Sequence, residues 1–226
     1  TYGAAPFLLT PPTTTSSGAF TFTTRKNGTL NDTSVATVNS STGLVTIVAP
    51  GSVEIIATQL ATLTHTASTS TTTFVVNPAS PTFGAFVAPA KTFGDASFDI
   101  TPPTTNSTGA FTYSSDDLSV ATVDGNVITI VGIGSLIITA YQATTTNFTT
   151  GTITATFVVS EATPTITNFS VPAKTVGDDP FTITEPTSNS TGLITYTSSN
   201  TDIATISGTT VTIIGIGSST ITASQA

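Results

Sequence analysis

In "NVITIVGIGSLIITA", residues 126 to 140, apolar and polar positions alternate on both sides of a Gly-Ile-Gly turn. Ile128 and Ile130 flank Thr129, and Ile138 and Ala140 flank Thr139. A period of two describes a strand with one buried and one solvated face. Similar segments occur at 34 to 57, "SVATVNSSTGLVTIVAPGSVEIIA", and at 202 to 223, "DIATISGTTVTIIGIGSSTITA". Across the three, one face stays apolar: Ile55, Ile138 and Ile221, then Ala57, Ala140 and Ala223. The intervening Ile56, Thr139 and Thr222 and the preceding Glu54, Ile137 and Thr220 vary, as expected of an outer face. One strand earlier, Val45, Ile128 and Val211 with Ile47, Ile130 and Ile213 point inward, and Thr46, Thr129 and Thr212 outward. "GTITATFVV" at 151 to 159 adds a strand with Ile153, Ala155 and Phe157 on one face. No window shows a helical period with caps. Short strands separated by Gly, Pro, Asn and Asp turns predict an all-β chain of tandem sandwiches.

Gly3, Gly94 and Gly177 set repeat periods of 91 and 83 residues, and Phe7, Phe98 and Phe181 then coincide. So do the loops "TPPTTTSSGAF", "TPPTTNSTGAF" and "TEPTSNSTGLI", and Gln59, Gln142 and Gln225. The extra length of the first repeat falls in the polar turns "RKNGTLND" and "NSSTG", where insertions are tolerated. We expect three modules, at 1–79, 80–162 and 163–226, jointed by the Pro-containing "NPASP" and "SEATP". Thr1 aligns with Thr92 and Thr175, so module 1 is expected to lack its opening strand; Ala226 aligns with Ala143, so module 3 is expected to lack its closing strand. Either the polypeptide continues at both ends or neighbouring subunits donate the strands; continuation is the favoured expectation.

Composition narrows the function classes. Thr and Ser number 56 and 25 of 226 residues, whereas charged residues make up only 7%. β-Branched Thr suits the wet face of a sheet, so the polar surface is built from hydroxyls. Four Lys and Arg against twelve Asp and Glu give a net charge of −8, which argues against nucleic acid and anionic membrane surfaces. There is no cysteine, hence no disulfide, and no apolar run long enough to span a bilayer.

"SSDDLSVATVDGNVITIVGIGSLIITA", residues 114 to 140, resembles the signature of the bacterial immunoglobulin-like domains, group 2, of intimin- and invasin-type surface proteins. Residues 197 to 223 match the same pattern. Module 1 departs from it, with an insertion at "RKNGTLND" and Ala49-Pro50-Gly51 in place of Gly-Ile-Gly. The resemblance implies tandem immunoglobulin-like (Big-type) sandwiches. It also implies stalk, spacer, adhesin or virion and phage surface roles, without choosing among them.

Candidate chemistry is sparse. His65 is the only histidine and has no evident base partner. Asp116-Asp117 and Asp178-Asp179, with Asp95, lack a D-x-D-x-D spacing and are read as turn formers in place of a calcium site. The "GIGS" loops precede strands, not helices, so they are turns and not phosphate cradles. Tyr113 and Tyr196, aligned with Phe22, are expected at the sandwich edge, where an aromatic platform for sugars is the alternative. The expectation is therefore no catalytic residue, no metal ligand, no cofactor, and no enzyme. Seven of ten Asn open N-x-[ST] sequons, where composition alone gives about four. They are Asn27, Asn31, Asn39, Asn106, Asn147, Asn168 and Asn189, the candidate N-glycosylation sites of a surface glycoprotein.

The expected function is a structural array at the cell surface, virion surface or outside the cell: stalk, fibre or spacer. Its expected partners are neighbouring modules or copies of the same array, with no membrane insertion in this segment. Two alternatives are an adhesin attaching to host-surface glycans or proteins, and a fibre subunit polymerising by strand donation.

Overall fold

The computed structural model describes residues 1–225 as twenty-one β-strands; among the described residues there is no helix. The chain divides into two compact units, Thr1–Ser160 and Glu161–Ala226.

The first unit contains two sets of strands, each with its own core. The first set is β1 (Phe7–Leu8), β2 (Phe20–Lys26), β3 (Thr29–Leu30), β4 (Ala36–Val38), β5 (Leu44–Ile47), β6 (Gly51–Gln59) and β7 (Ser68–Val76). It forms the sheets β3-β2-β6-β7 and β1-β5-β4. The second set is β8 (Lys91–Thr92), β9 (Phe98–Asp99), β10 (Phe111–Ser115), β11 (Ala121–Asp124), β12 (Val127–Ile130), β13 (Gly134–Gln142) and β14 (Gly151–Ser160). Its sheets are β10-β13-β14-β8, with β8 parallel to β14, and β11-β12-β9. Discounting β8, the third, sixth and seventh strands make one sheet and the second, fifth and fourth the other. That is the strand order of an immunoglobulin-type Greek-key sandwich. The first set repeats it, with β3 as an added hairpin strand in the "RKNGTLND" insertion.

Residues from both sheets meet in the core between β8 and β14. Val120, Ala121 and Ile128 pack with Leu136, Ile138, Ala140, Ala155, Phe157 and Val159. Ile138, Ala140, Ile128 and Phe157 are fully buried and Thr129 is exposed, as the alternation predicts. The first set has a smaller core of Val35, Ala36, Val45, Val53, Ile55 and Val76. Two expectations need correction. Ile130, the last residue of β12, is only half-buried. On the outer face, Ile56 is buried and its counterpart Thr139 half-buried. Both sit on a central strand, Ile56 between Thr23 and Thr71 and Thr139 between Ser114 and Thr154, so side chains on two flanking strands shield them.

The second unit comprises β15 (Ile166–Thr167), β16 (Phe181–Thr182), β17 (Thr187–Ser188), β18 (Ile194–Ser198), β19 (Ala204–Ser207), β20 (Thr210–Ile213) and β21 (Ile221–Gln225). Its sheets are β16-β20-β19, β18-β21 and β15-β17. Here Ile183 and Val211 are buried, but Ile203, Ala204, Ile221 and Ala223 are only half-buried. Thr222, the counterpart of Thr139, is exposed, because β21 pairs among the described residues with β18 alone.

The turn before β6, β13 and β21 explains one repeated residue. Gly51, Gly134 and Gly217 have φ of 144°, 145° and 148°, a region that excludes side chains. A Cβ on Gly134 would lie 2.9 Å from Val120 Cγ2. This is why Ala49-Pro50-Gly51 can replace Gly-Ile-Gly: the second glycine is the one retained.

Candidate functional site

The repeated polar residues converge on the turns that frame each core. Gln142, 1% exposed, ends β13 with its side chain under the 101–110 loop. Its Nε2 donates to the carbonyls of Ser107 (3.1 Å) and Gly109 (3.0 Å), and Thr105 Oγ1 donates to its Oε1 (2.9 Å). Gln59 makes the same three bonds, to Ser16 O and Gly18 O at 3.0 Å each and from Thr14 Oγ1 at 2.7 Å. Gln225 repeats them with Ser190, Gly192 and Ser188. An irregular loop has carbonyls that no ladder satisfies, and a buried amide supplies the missing donors. The recurrence of Gln was visible in the sequence. Its role was not, because the carbonyls it meets lie more than thirty residues away.

The acidic residues are also committed to turns. Asp117 Oδ1 accepts from Ser119 N (2.9 Å) and Oγ (2.6 Å), which holds its carboxyl below the usual range. Asp32 does the same with Ser34. Asn200, with Asp202 N at 3.0 Å, is the uncharged third version. Asp116 Oδ1 accepts from Ile137 N at 2.7 Å. Asp95 and Asp178 each accept from the backbone N–H three residues earlier, at 3.0 and 3.1 Å. Among the described residues no three His, Asp or Glu are grouped to hold a metal ion.

All four cations are engaged. Arg25 Nε pairs with Glu54 Oε2 at 2.6 Å, the hydrogen bond and then the charge lowering the Glu54 pKa. Lys26 donates to Ser34 Oγ at 2.9 Å. Lys91 and Lys174 lie over the rings of Phe98 and Phe181, at 4.8 and 4.9 Å. His65 is exposed and its Nδ1 lies 2.9 Å from Thr64 Oγ1, a neighbour that cannot act as a base.

Tyr113 and Tyr196 are not a surface platform. Tyr113 stacks between Phe86 and Phe111, each at 6.2 Å, and Tyr196 packs on Phe169 at 5.9 Å. Both hydroxyls are buried without a hydrogen-bond partner among the described residues, and desolvation raises both pKa values. They take the position of the buried Phe22 but are themselves half-buried, Tyr113 packing against the core of the second set. The ring body carries the packing, which the sequence alignment with Phe22 had signalled.

Six of the seven sequon Asn are exposed; Asn147 is half-buried. Asn27 and Asn31 sit at positive φ in turns, and Asn168 at positive φ directly after β15. Asn39 Oδ1 accepts from Ser41 N and Thr42 N at 3.1 and 2.9 Å. Asn106 and Asn189 occupy the same turn, their Oδ1 accepting from Thr82 N and Thr165 N at 2.9 and 2.8 Å. In both, the bond uses the oxygen and not Nδ2, the atom that would carry a sugar. Asn147 lies in the joint of the first unit instead. Its carbonyl accepts from Ala79 N (2.9 Å), Thr149 N donates to Ala79 O (2.8 Å), and Phe148 meets Tyr2 edge-on at 5.6 Å.

Among the described residues, openings reach a core in both units. A cavity of about 200 Å³, lined by Leu9, Phe22, Ile55, Ala57 and Thr72, lies where Phe86 packs on Tyr113 in the next set of strands. A larger groove of about 560 Å³ opens in the second unit, lined by Val171, Phe181, Ile203, Val211 and Ile221.

No family model matches the chain. No curated protein matches it either. Among solved structures, human protocadherin-24 EC1-2 is similar over 72% of this chain and 91% of that one, at 12% identity and a TM-score of 0.30. Drosophila N-cadherin EC1-3 is similar over 92% and 79%, at 14% identity and a TM-score of 0.36. A SusE-like surface-located polysaccharide-binding protein of the Bacteroides thetaiotaomicron heparin utilisation locus is similar over 90% and 64%, at 10% identity and a TM-score of 0.26. Similarity at this level carries no ligand or partner from one chain to another. Among the described residues, no helix is long and apolar enough to cross a membrane.

Proposed function

We propose that the chain is a structural array of three immunoglobulin-like modules, 1–79, 80–162 and 163–226, serving as stalk, fibre or spacer at a cell or particle surface. One observation carries the reading: in each repeat the polar side chains that recur in sequence are spent on the frame. The three Gln clamp loops, the Asp and Asn of the equivalent turns cap backbone N–H groups, and the cations lie on rings, a carboxylate or a hydroxyl. Outward positions of β7 and β14 are mostly Thr, a solvated surface without a charged or aromatic cluster. Catalysis would need a nucleophile with an oriented base in a pocket; among the described residues the hydroxyl–imidazole contact of Thr64 Oγ1 with His65 Nδ1 is exposed and has no third group orienting the ring, which does not support an enzyme.

The alternative is an adhesin whose loops read host glycans or proteins. A glycan array probed with the 226-residue chain separates the two. The spacer reading expects no saturable binding to any sugar. Saturable binding that a loop substitution abolishes would establish the adhesin. A sugar on Asn106 and Asn189 fits either reading; peptide mass spectrometry of the native protein detects it.

A further inference from the structure

β10 is an edge strand, and its outer edge is open. Ala110 O accepts from Ala143 N and Asp116 N donates to Ile137 O, so the even-numbered residues of β10 bond to β13. The N–H and C=O groups of Phe111, Tyr113 and Ser115 therefore point away from the sheet. Among the described residues no group donates to them or accepts from them. β18 repeats the arrangement with Ile194, Tyr196 and Ser198. The first set closes the same edge. Phe22 N, the counterpart of Tyr113 N, donates to Ser40 O at 3.0 Å, and Thr24 O, the counterpart of Ser115 O, accepts from Asn31 N at 2.7 Å. Ser40 and Asn31 belong to "NSSTG" and "RKNGTLND", the two insertions that the other repeats lack. Those insertions act as edge covers, a known protection against strand addition, and β3 supplies its part as a short antiparallel strand. β10, "FTYSS", has no cover, no charge and no proline.

We propose that β10 pairs with the β10 of a second copy of this chain, antiparallel and two-fold symmetric, with Tyr113 opposite the partner's Tyr113. The occupant is a second copy because β10 is complementary to itself, as a closed two-fold contact requires. In this register Phe111 faces the partner's Ser115, and each opposed odd-numbered pair exchanges two hydrogen bonds, which uses every open group. On the outer face Thr112 stands opposite the partner's Ser114, a cross-strand hydroxyl pair. Asp116 and Asp117 fall beside the partner's Ala110 and Gly109, so no carboxylate meets another. A register shifted by two residues in either direction leaves open groups at one end. The contact is short and each copy carries a net charge of −8, so the association is weak and strengthens as salt screens the repulsion. The pairing goes beyond the spacer reading and stands whether or not that reading holds.

The test uses the 226-residue chain, which has no cysteine of its own, as the single variants Thr112→Cys and Ser114→Cys, both at exposed positions. Mixed and oxidised over a concentration series, the two should form the mixed disulfide dimer about tenfold faster than either joins to itself, because only 112 and 114 face each other in this register. Sedimentation equilibrium of the unsubstituted chain should show monomers and dimers in exchange. Thr112→Lys with Ser114→Lys should weaken the dimer about tenfold by opposing like charges, and Thr112→Lys with Ser114→Asp should restore it. A monomer at every concentration, or same-residue disulfides outpacing the mixed one, would overturn the proposal. So would mixed disulfides forming no faster than the collisional ones of Thr129→Cys, an exposed position on the other sheet. A dimer that the double lysine variant leaves intact would also overturn it, because the contact would then lie away from β10.

Discussion

Ile138 and Thr129 define the two extremes of the alternation. Ile138 touches the core from both sheets, so Ile138→Ala should cost about 2–5 kcal/mol by opening a cavity, and Thr129→Ser well under about 1 kcal/mol. Urea denaturation of the two variants checks this; equal losses would mean the faces are misassigned. Gln142→Leu keeps the volume but leaves the Ser107 and Gly109 carbonyls without their donor, a loss of about 1–3 kcal/mol. Asp117 makes a pH-dependent contribution of definite sign. Its folded pKa is depressed, so the turn is fully supported above the ordinary carboxylate range and loses that support as pH falls through the folded value. NMR titration should find the Asp117 midpoint below that of ordinary Asp, and Ser119→Ala should raise it. Asp117→Asn keeps the acceptor, as Asn200 already does, and should remove the acid sensitivity of that turn. The apolar faces at Ile55, Ile138 and Ile221 were legible because strand geometry is local. The clamp at Gln142 was not, since its partners are brought in by the fold. The same holds for Thr139 and Ile56, whose shielding depends on strands paired across long separations.

Turns and hairpins set where each strand begins. The left-hand glycine before β13 is required twice over, by its φ of 145° and by Val120, so Gly134→Ala should destabilise by about 1–3 kcal/mol. Thermal unfolding followed by circular dichroism measures it, and a neutral effect would remove the explanation for the repeated glycine. The joint of the first unit is built differently, by a parallel bridge between Ala79 and Phe148 and by ring contacts to Gly151. A Cβ on Gly151 would lie 2.5 Å from Pro81 Cγ and 2.8 Å from Phe83 Cζ. Gly151→Ala should therefore speed hydrogen exchange at Ala79 and Thr149 while the amides of Ile138 and Ile55 stay protected. Simultaneous loss at all four would show that the joint and the cores unfold as one. The Pro-containing segment was readable as a joint from "NPASP"; the partners that fasten it, Asn147 and Thr149, were readable only as a sequon.

Taken as a whole molecule, the chain invests its repeated residues in holding sandwiches together and leaves a hydroxyl-rich exterior. The all-β character and the three faces could be anticipated from period and repeat; the immunoglobulin-type arrangement was implied only by the resemblance, and the strand order came from the fold. The open groove of the second unit could be anticipated only as an unmatched alignment, and its depth comes from how Phe181, Ile203 and Val211 are arranged. The sequons divide in the same way. Asn106 and Asn189 are exposed in one turn and Asn147 is held in the joint, so a glycosylating source should modify the first two and leave Asn147 bare. The central claim is that this chain supplies length at a surface and not chemistry. Electron microscopy of the native source, with gold-labelled antibody against residues 1–226, tests it most directly. The account predicts label on regular projections or filaments at the surface of the cell or particle. Label confined to the interior, or scattered on structures without projections, would contradict it.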